Sequence, residues 1–174
     1  MDAALLIARL ILGLALAAHG AQKLFGWFGG GGLKGTSGFF EGMGWRPGAL
    51  FAFAAGAGEF GGGLLTAAGL LSPIGPALIM IVMLNAVFAV HWKNGFFAMA
   101  NGVELPLMNI AGALAIAFGG PGAYSLDALV NFDALSQPAT QWIVIAAAVV
   151  VAVLNLFARR PVAVQQPAPG GKAA

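Results

Sequence analysis

Five runs of apolar residues, separated by stretches that hold most of the charge, organise this chain. They cover about residues 3–24, 48–71, 74–92, 104–118 and 140–158. Each is close to the roughly 20 residues a helix needs to cross a bilayer, the fourth being the shortest. Ser72-Pro73 separates the second run from the third, because proline cannot continue a helix and restricts the residue before it. The pattern predicts an all-α integral membrane protein of about five spans.

The connections differ in character. Residues 26–47 are rich in glycine and aromatics and read as an interfacial or re-entrant loop, whose irregular backbone must be satisfied by protein or water. Residues 119–138 read as a polar loop carrying Asp127 and Asp133. Residues 161–174 hold Pro, Gln, Gly and Ala and predict a disordered tail. The first run lacks the basic start of a signal peptide, having Asp2 there and Arg9 within the apolar stretch, so it reads as a retained helix.

Five spans place alternate connections on opposite sides. Lys23, Lys34, Arg46, Lys93, Arg159, Arg160 and Lys172 then share one side, and Asp127, Asp133 and the N-terminus the other. The positive-inside rule predicts a cytoplasmic basic side, an outer N-terminus and a cytoplasmic C-terminus.

Composition fits this reading. The 174 residues are 60% hydrophobic and 8% charged, with mean hydropathy +0.90, against roughly 25% charged residues in soluble domains. The net charge of +2 comes without a basic–aromatic cluster, so no nucleic-acid partner is expected. The lack of cysteine removes disulfides, thiolate nucleophiles and iron–sulfur clusters. Gly30-Gly31-Gly32-Leu33-Lys34-Gly35 matches G-x-G-x-x-G in form, but it follows a membrane helix rather than a strand, so no nucleotide is expected.

The remaining chemistry lies in ionisable groups in or near the spans: Arg9, His19, Lys23, Glu59, His91, Lys93 and Glu104. A charge at mid-bilayer costs from roughly 3 to above 10 kcal/mol, so such groups should face the bundle interior or the interface. Glu59 falls about mid-span and shares a helical face with Ala55 and Gly63. Two readings stand side by side: a proton-exchanging carboxylate, or a structural partner for Arg9 at comparable depth on the first span. Gly58-x-x-x-Gly62 is the small-residue spacing that brings membrane helices together.

His19 and His91 fall near the basic ends of their spans, with Lys23, Lys93, Asn85 and Glu104 toward the same end. They predict a polar pocket roofed by Trp27, Trp92 and the glycine loop. A quinone head group needs hydrogen-bonding partners for its carbonyls, a proton route and apolar walls, and histidine titrates near neutrality. The competing reading is interfacial snorkelling, which suits the lysines. Haem is disfavoured because spacing alone does not aim two imidazoles at one iron. A metal site lacks a third convincing ligand.

At these residues the chain resembles the DoxX family of small bacterial membrane proteins. The resemblance is carried by Arg9-Leu10 through Leu12-Gly13, by His19-Gly20-Ala21-Gln22-Lys23-Leu24-Phe25-Gly26, and by Gly35-Thr36 with Phe39-Phe40. It continues in Gly58-Glu59-Phe60-Gly61-Gly62-Gly63-Leu64-Leu65, His91-Trp92-Lys93-Asn94-Gly95-Phe96-Phe97 and Gly120-Pro121-Gly122-Ala123-Tyr124-Ser125-Leu126-Asp127. It implies a four-helix membrane bundle in the bacterial cytoplasmic membrane, associated with quinone-linked respiratory or redox complexes. On that basis residues 1–138 form the DoxX-like bundle and residues 139–160 an extra transmembrane helix. Glu59, His19 and His91 become candidates for protonating or binding the head group, with Arg9, Gln22, Lys23, Asn85, Trp92, Lys93 and Glu104 around it.

The chain departs from the family pattern at Leu105-Pro106, where an aromatic usually follows the glutamate, and in the fifth span. Wider relatives perform thiol chemistry, which a cysteine-free chain cannot. The expectation is therefore a membrane subunit associated with a quinone-linked redox complex and, if it is an enzyme, a quinone-linked oxidoreductase subunit without its own redox cofactor. The alternative is a non-catalytic subunit that docks other membrane proteins through the fifth helix and its glycine-rich faces. A small-solute or proton carrier is disfavoured for want of an inverted repeat.

Overall fold

A computed structural model describes residues 1–160, and the tail expected over 161–174 lies outside them. The described residues contain helices and turns and no strand. In chain order the helices are α1 (Asp2–Phe25), α2 (Gly32–Gly42), α3 (Gly48–Ala68), α4 (Ile74–Ala86), α5 (Glu104–Gly119), α6 (Leu126–Leu129) and α7 (Pro138–Phe157). α4 runs on through a π turn at Val87–His91 and a 3-10 turn at Trp92–Asn94. Among the described residues, four segments are long and apolar enough to cross a membrane: α1, α3, Ile74–Asn94 and α7. α5, at 16 residues, is the shorter apolar helix that the sequence pattern marks as its shortest span.

α1 and α3 form the tightest contact in the bundle, and small residues make it possible. A Cβ on Gly13 would meet the backbone of Gly63 and Ala67, and one on Gly20 would meet Gly56 and Phe60. Helices in lipid gain little from apolar burial against one another, so close backbone approach supplies much of their attraction. The Gly58–Gly62 face serves a different neighbour: Gly58 abuts Val82, and Gly62 abuts Leu78 and Gly75 of α4. Leu16, Ile79, Met80, Met83, Ala113, Ala117, Ile145 and Ala148 share one apolar core drawn from α1, α4, α5 and α7.

One expectation changes. Residues 26–47 are not mainly loop: α2 fills much of that stretch and packs on α3 and α1. The expected fifth transmembrane helix is α7, and it packs into the bundle. Ile145 and Ala148 sit in the common core, and its C-terminal end is tied to the α2–α3 turn. There Trp45 Nε1 donates to the Asn155 carbonyl at 2.8 Å, Arg159 Nε donates to the Met43 carbonyl at 3.0 Å, and the Arg160 amide donates to Gly44 at 2.8 Å. The Arg159 guanidinium also lies 5.0 Å from the Trp45 ring centre.

The charges follow the bundle's two ends. The α1 C-terminus, the start of α2, the α2–α3 turn and the α7 C-terminus gather Lys23, Lys34, Arg46, Arg159 and Arg160 at one end. At the other, Asp2 Oδ1 accepts from the Ala123 amide, while Asp127, fully buried, accepts from the amides of Leu71 and Ser72. Asp127 thereby fixes the α3–α4 turn, a role that its place in a polar loop did not announce.

Candidate functional site

A cavity of about 410 Å³ opens at the basic half of the bundle, between α2, α3, α4 and α7 with Lys23 of α1 at its edge. Its walls are apolar, built from residues such as Phe39, Phe40, Trp45, Ile81, Val82 and Val151. Lys23, Glu59, Asn85, His91 and Asn155 supply the polar part of the lining. Such a volume, mostly apolar with a few convergent polar groups, is typical of small-molecule sites.

The antiparallel register of α1 and α3 determines which charges meet. With Gly20 against Gly56 and Phe60, Glu59 lies level with the last turns of α1, and Lys23 reaches it. Lys23 Nζ donates to Glu59 Oε2 as an ion pair, with Glu59 only 2% exposed and Lys23 30% exposed. Gly56 packs directly on Lys23 and Leu24, so the lysine stem has a fixed path.

Arg9 is therefore not the partner of Glu59. It lies eleven residues before Gly20 on α1, roughly 16 Å away along the axis at 1.5 Å per residue. Equal depth was the wrong premise, because the contact register offsets the two helices. Arg9 is fully buried at the acidic end, donates from Nη2 to the Tyr124 carbonyl, and packs its guanidinium on the Cα of Gly69. Gly69 has φ +63°, a left-handed conformation that closes α3, and a side chain there would collide with Arg9. Arg9 thus pins the α3–α4 turn and lies outside the cavity.

Of the two histidines, only His91 reaches the cavity. It ends the π turn of α4, a wider coil that interrupts the α-helix where Val90 and His91 join the lining. Its Nδ1 lies 2.7 Å from the Asn101 carbonyl. A carbonyl only accepts, so Nδ1 carries the hydrogen, and Nε2 of the neutral ring is an acceptor. His19 is exposed and is not part of the lining. Its Nδ1 lies 3.0 Å from Gln22 Oε1, and Gln22 Nε2 donates to the Phe28 carbonyl at 3.2 Å, so this pair braces the turn after α1.

The expected roof also changes. Trp27 and Trp92 are exposed, Trp92 tilting against Phe88 with ring centres 5.6 Å apart. α2 and the turn after it supply the cover through Phe39, Phe40, Met43 and Trp45. Glu104 Oε2 accepts from the Ala98 amide at 2.8 Å and caps a turn before α5, and Lys93 is exposed. Asn85 is where the sequence pattern places it. It is 7% exposed, its Nδ2 donates to the Ile81 carbonyl at 2.7 Å, and its Oδ1 is buried with no partner among the described residues. Asn155 went unnoticed, although it is the one polar residue in the last apolar turns of α7.

The fold and site define a polytopic helical membrane protein with a mostly apolar cavity bordered by an intramembrane ion pair. A model of the DoxX family matches residues 4–92, which run from α1 to the end of α4 and hold Lys23, Glu59, Asn85 and His91. The chain belongs to the DoxX family. No curated protein and no solved structure matches it. The matched region stops before α5 and α7, so α7 brings Val151 and Asn155 to the cavity from outside it.

Proposed function

We propose that the protein is a membrane subunit of a quinone-linked redox complex, and that the cavity holds the ring of a lipid-soluble quinone-class compound. The observation that carries this reading is the juxtaposition of Lys23–Glu59, Asn85, His91 and Asn155 within otherwise apolar walls. A lipophilic ring suits those walls, while its oxygens suit the few polar groups; a freely hydrated solute would forfeit its water against so much hydrocarbon. Lys23 supplies a donor to a ring oxygen, and the Glu59 carboxylate and His91 Nε2 supply sites for a proton. Electrons would come from a partner subunit, which makes the chain the ligand-holding member of a complex.

The orientation belongs to the same proposal. Lys34 and Arg46 at the end nearer the cavity, against Asp2 and Asp133 at the other, support a reading in which the cavity faces the cytoplasmic side of a bacterial inner membrane. Because the chain has no cysteine, single cysteines at positions 34 and 133 give a clean accessibility test. The expected result is labelling of position 133, and not position 34, by an impermeant reagent added outside.

Ligand binding is tested by purification in mild detergent followed by lipid extraction and thermal unfolding. Retained quinone, or a rise in Tm when quinone is added, is expected. Protein that carries none and whose Tm does not respond overturns the proposal and leaves the non-catalytic accessory subunit as the better reading.

A further inference from the structure

We infer that the cavity opens sideways into the acyl-chain layer through a slot between α3 and α7, and that its occupant is a tailed compound whose hydrocarbon chain leaves by that slot. The inference rests on the quinone-class reading above and adds to it the route of entry and the tail.

Exposure separates the rim of the cavity from its interior. Among the lining residues only Phe39, Ala54 and Val151 are exposed, one each on α2, α3 and α7. The others are buried or half-buried, and they include every polar residue of the lining. α4 and its π turn supply much of the wall and none of its exposed part, so α4 is the back of the cavity and the mouth lies opposite. α3 and α7 each pack along α4 without pairing with one another, which leaves a gap between them in front of it.

The depth of that gap decides what lies outside it. Ala54 and Val151 each stand six residues, roughly 9 Å, inside the basic end of their helices. At 21 and 20 residues the two helices are about as long as the hydrocarbon layer is thick, so the slot falls within that layer and below its polar surface. A rim of Phe, Ala and Val offers water nothing to hydrogen-bond and suits acyl chains. A compound dissolved in the bilayer reaches the polar groups of the wall without leaving hydrocarbon. The cavity, at about 410 Å³, is near the small end for ligand sites, so a ring fills it and a long chain stays outside. One side of the slot comes from α7, beyond the matched residues 4–92.

The test uses the full chain in nanodiscs and a benzoquinone carrying a decyl tail with a diazirine partway along it. After photolysis the label is expected on α3 near Ala54 and on α7 near Val151, and an excess of the same quinone without the diazirine should abolish it. Saturable label on the α1 C-terminus or the Trp92–Asn94 turn instead would take the tail out at the basic end; it overturns the inference and leaves the quinone-class site standing. If no label anywhere is competed away, the site reading itself fails. Binding kinetics give a second measurement. In Val151→Trp a bulky side chain at the mouth should slow both association and dissociation by roughly tenfold, with Tm unchanged. Leu154→Trp, on the lipid-facing side of α7, should alter neither rate. Faster dissociation in Val151→Trp would place residue 151 inside the cavity instead of on its rim, and also overturns the inference.

Discussion

Lys23 on α1 donates to the buried carboxylate of Glu59 on α3, thirty-six residues away in the sequence, and the pair forms part of the cavity wall. Neither residue chooses the other by charge alone. Gly56 lets the lysine stem lie against α3, and Gly63 lets the α3 backbone reach Ala17, so the small residues set the register that brings the two charges together.

The pair is unequal in burial, and the cost of removing each partner should be unequal too. Lys23→Met leaves the Glu59 charge buried without its partner and is expected to destabilise by about 3 kcal/mol or more. Glu59→Gln leaves Lys23, which reaches water, free to snorkel, and should cost about 1 kcal/mol. The double variant should recover much of what Lys23→Met loses. Thermal or denaturant unfolding in one lipid system measures all three, and equal losses from the two single variants would refute the asymmetry.

The α1–α3 contact makes a second prediction. Gly20→Leu drives a side chain into the backbone of Phe60 and Gly56 and should cost at least about 3 kcal/mol, the top of the overpacking range. Gly61, on α3 with open space where a Cβ would sit, is the control, and Gly61→Ala should change stability by less than about 0.5 kcal/mol. A similar response at both sites, read from Tm, would mean that the helices do not approach as described.

Spans and turns were legible because hydrophobic length and proline punctuation are local signals. That Glu59, Asn85 and His91 would face the bundle interior was legible because polar groups in apolar helices need a reason, and all three line the cavity. The pairing of Glu59 was not, since depth along one helix says nothing about the offset of its neighbour. His19 and His91 look equivalent in sequence, yet one helix turns its histidine out to Gln22 while the π turn of the other carries His91 to the cavity. The roof was missed because the glycines of residues 29–38 hide the helical face that presents Phe39 and Phe40. The fold of α7 onto the α2–α3 turn depends on contacts more than a hundred residues apart in the chain.

That fold-back should behave as a coupled latch. Trp45, 1% exposed, holds the Asn155 carbonyl with its indole nitrogen and carries the Arg159 guanidinium over its ring. Trp45→Leu and Arg159→Ala should each cost about 1 kcal/mol or more, the first through a lost hydrogen bond and the second through the lost cation–π contact. Because they share one contact, the double variant should lose less than the two single losses combined, by roughly 0.5 kcal/mol. Strict additivity in a double-mutant cycle would show that the contact contributes nothing.

The two histidines provide the sharpest contrast between sequence and structure, and a substitution at each decides it. His91→Ala removes the acceptor Nε2 from the cavity wall and the brace to the Asn101 carbonyl, so quinone-class binding should weaken by roughly tenfold. His19→Ala removes a contact to Gln22 at the exposed end of α1, so binding should stay within about twofold while stability falls by no more than about 1 kcal/mol. Ligand titration of both variants in nanodiscs, with Tm recorded for each, separates recognition from folding. Weakened binding in His19→Ala with full affinity in His91→Ala would place the ring ligand on the outer face of α1 and remove the α2–α4 cavity from consideration.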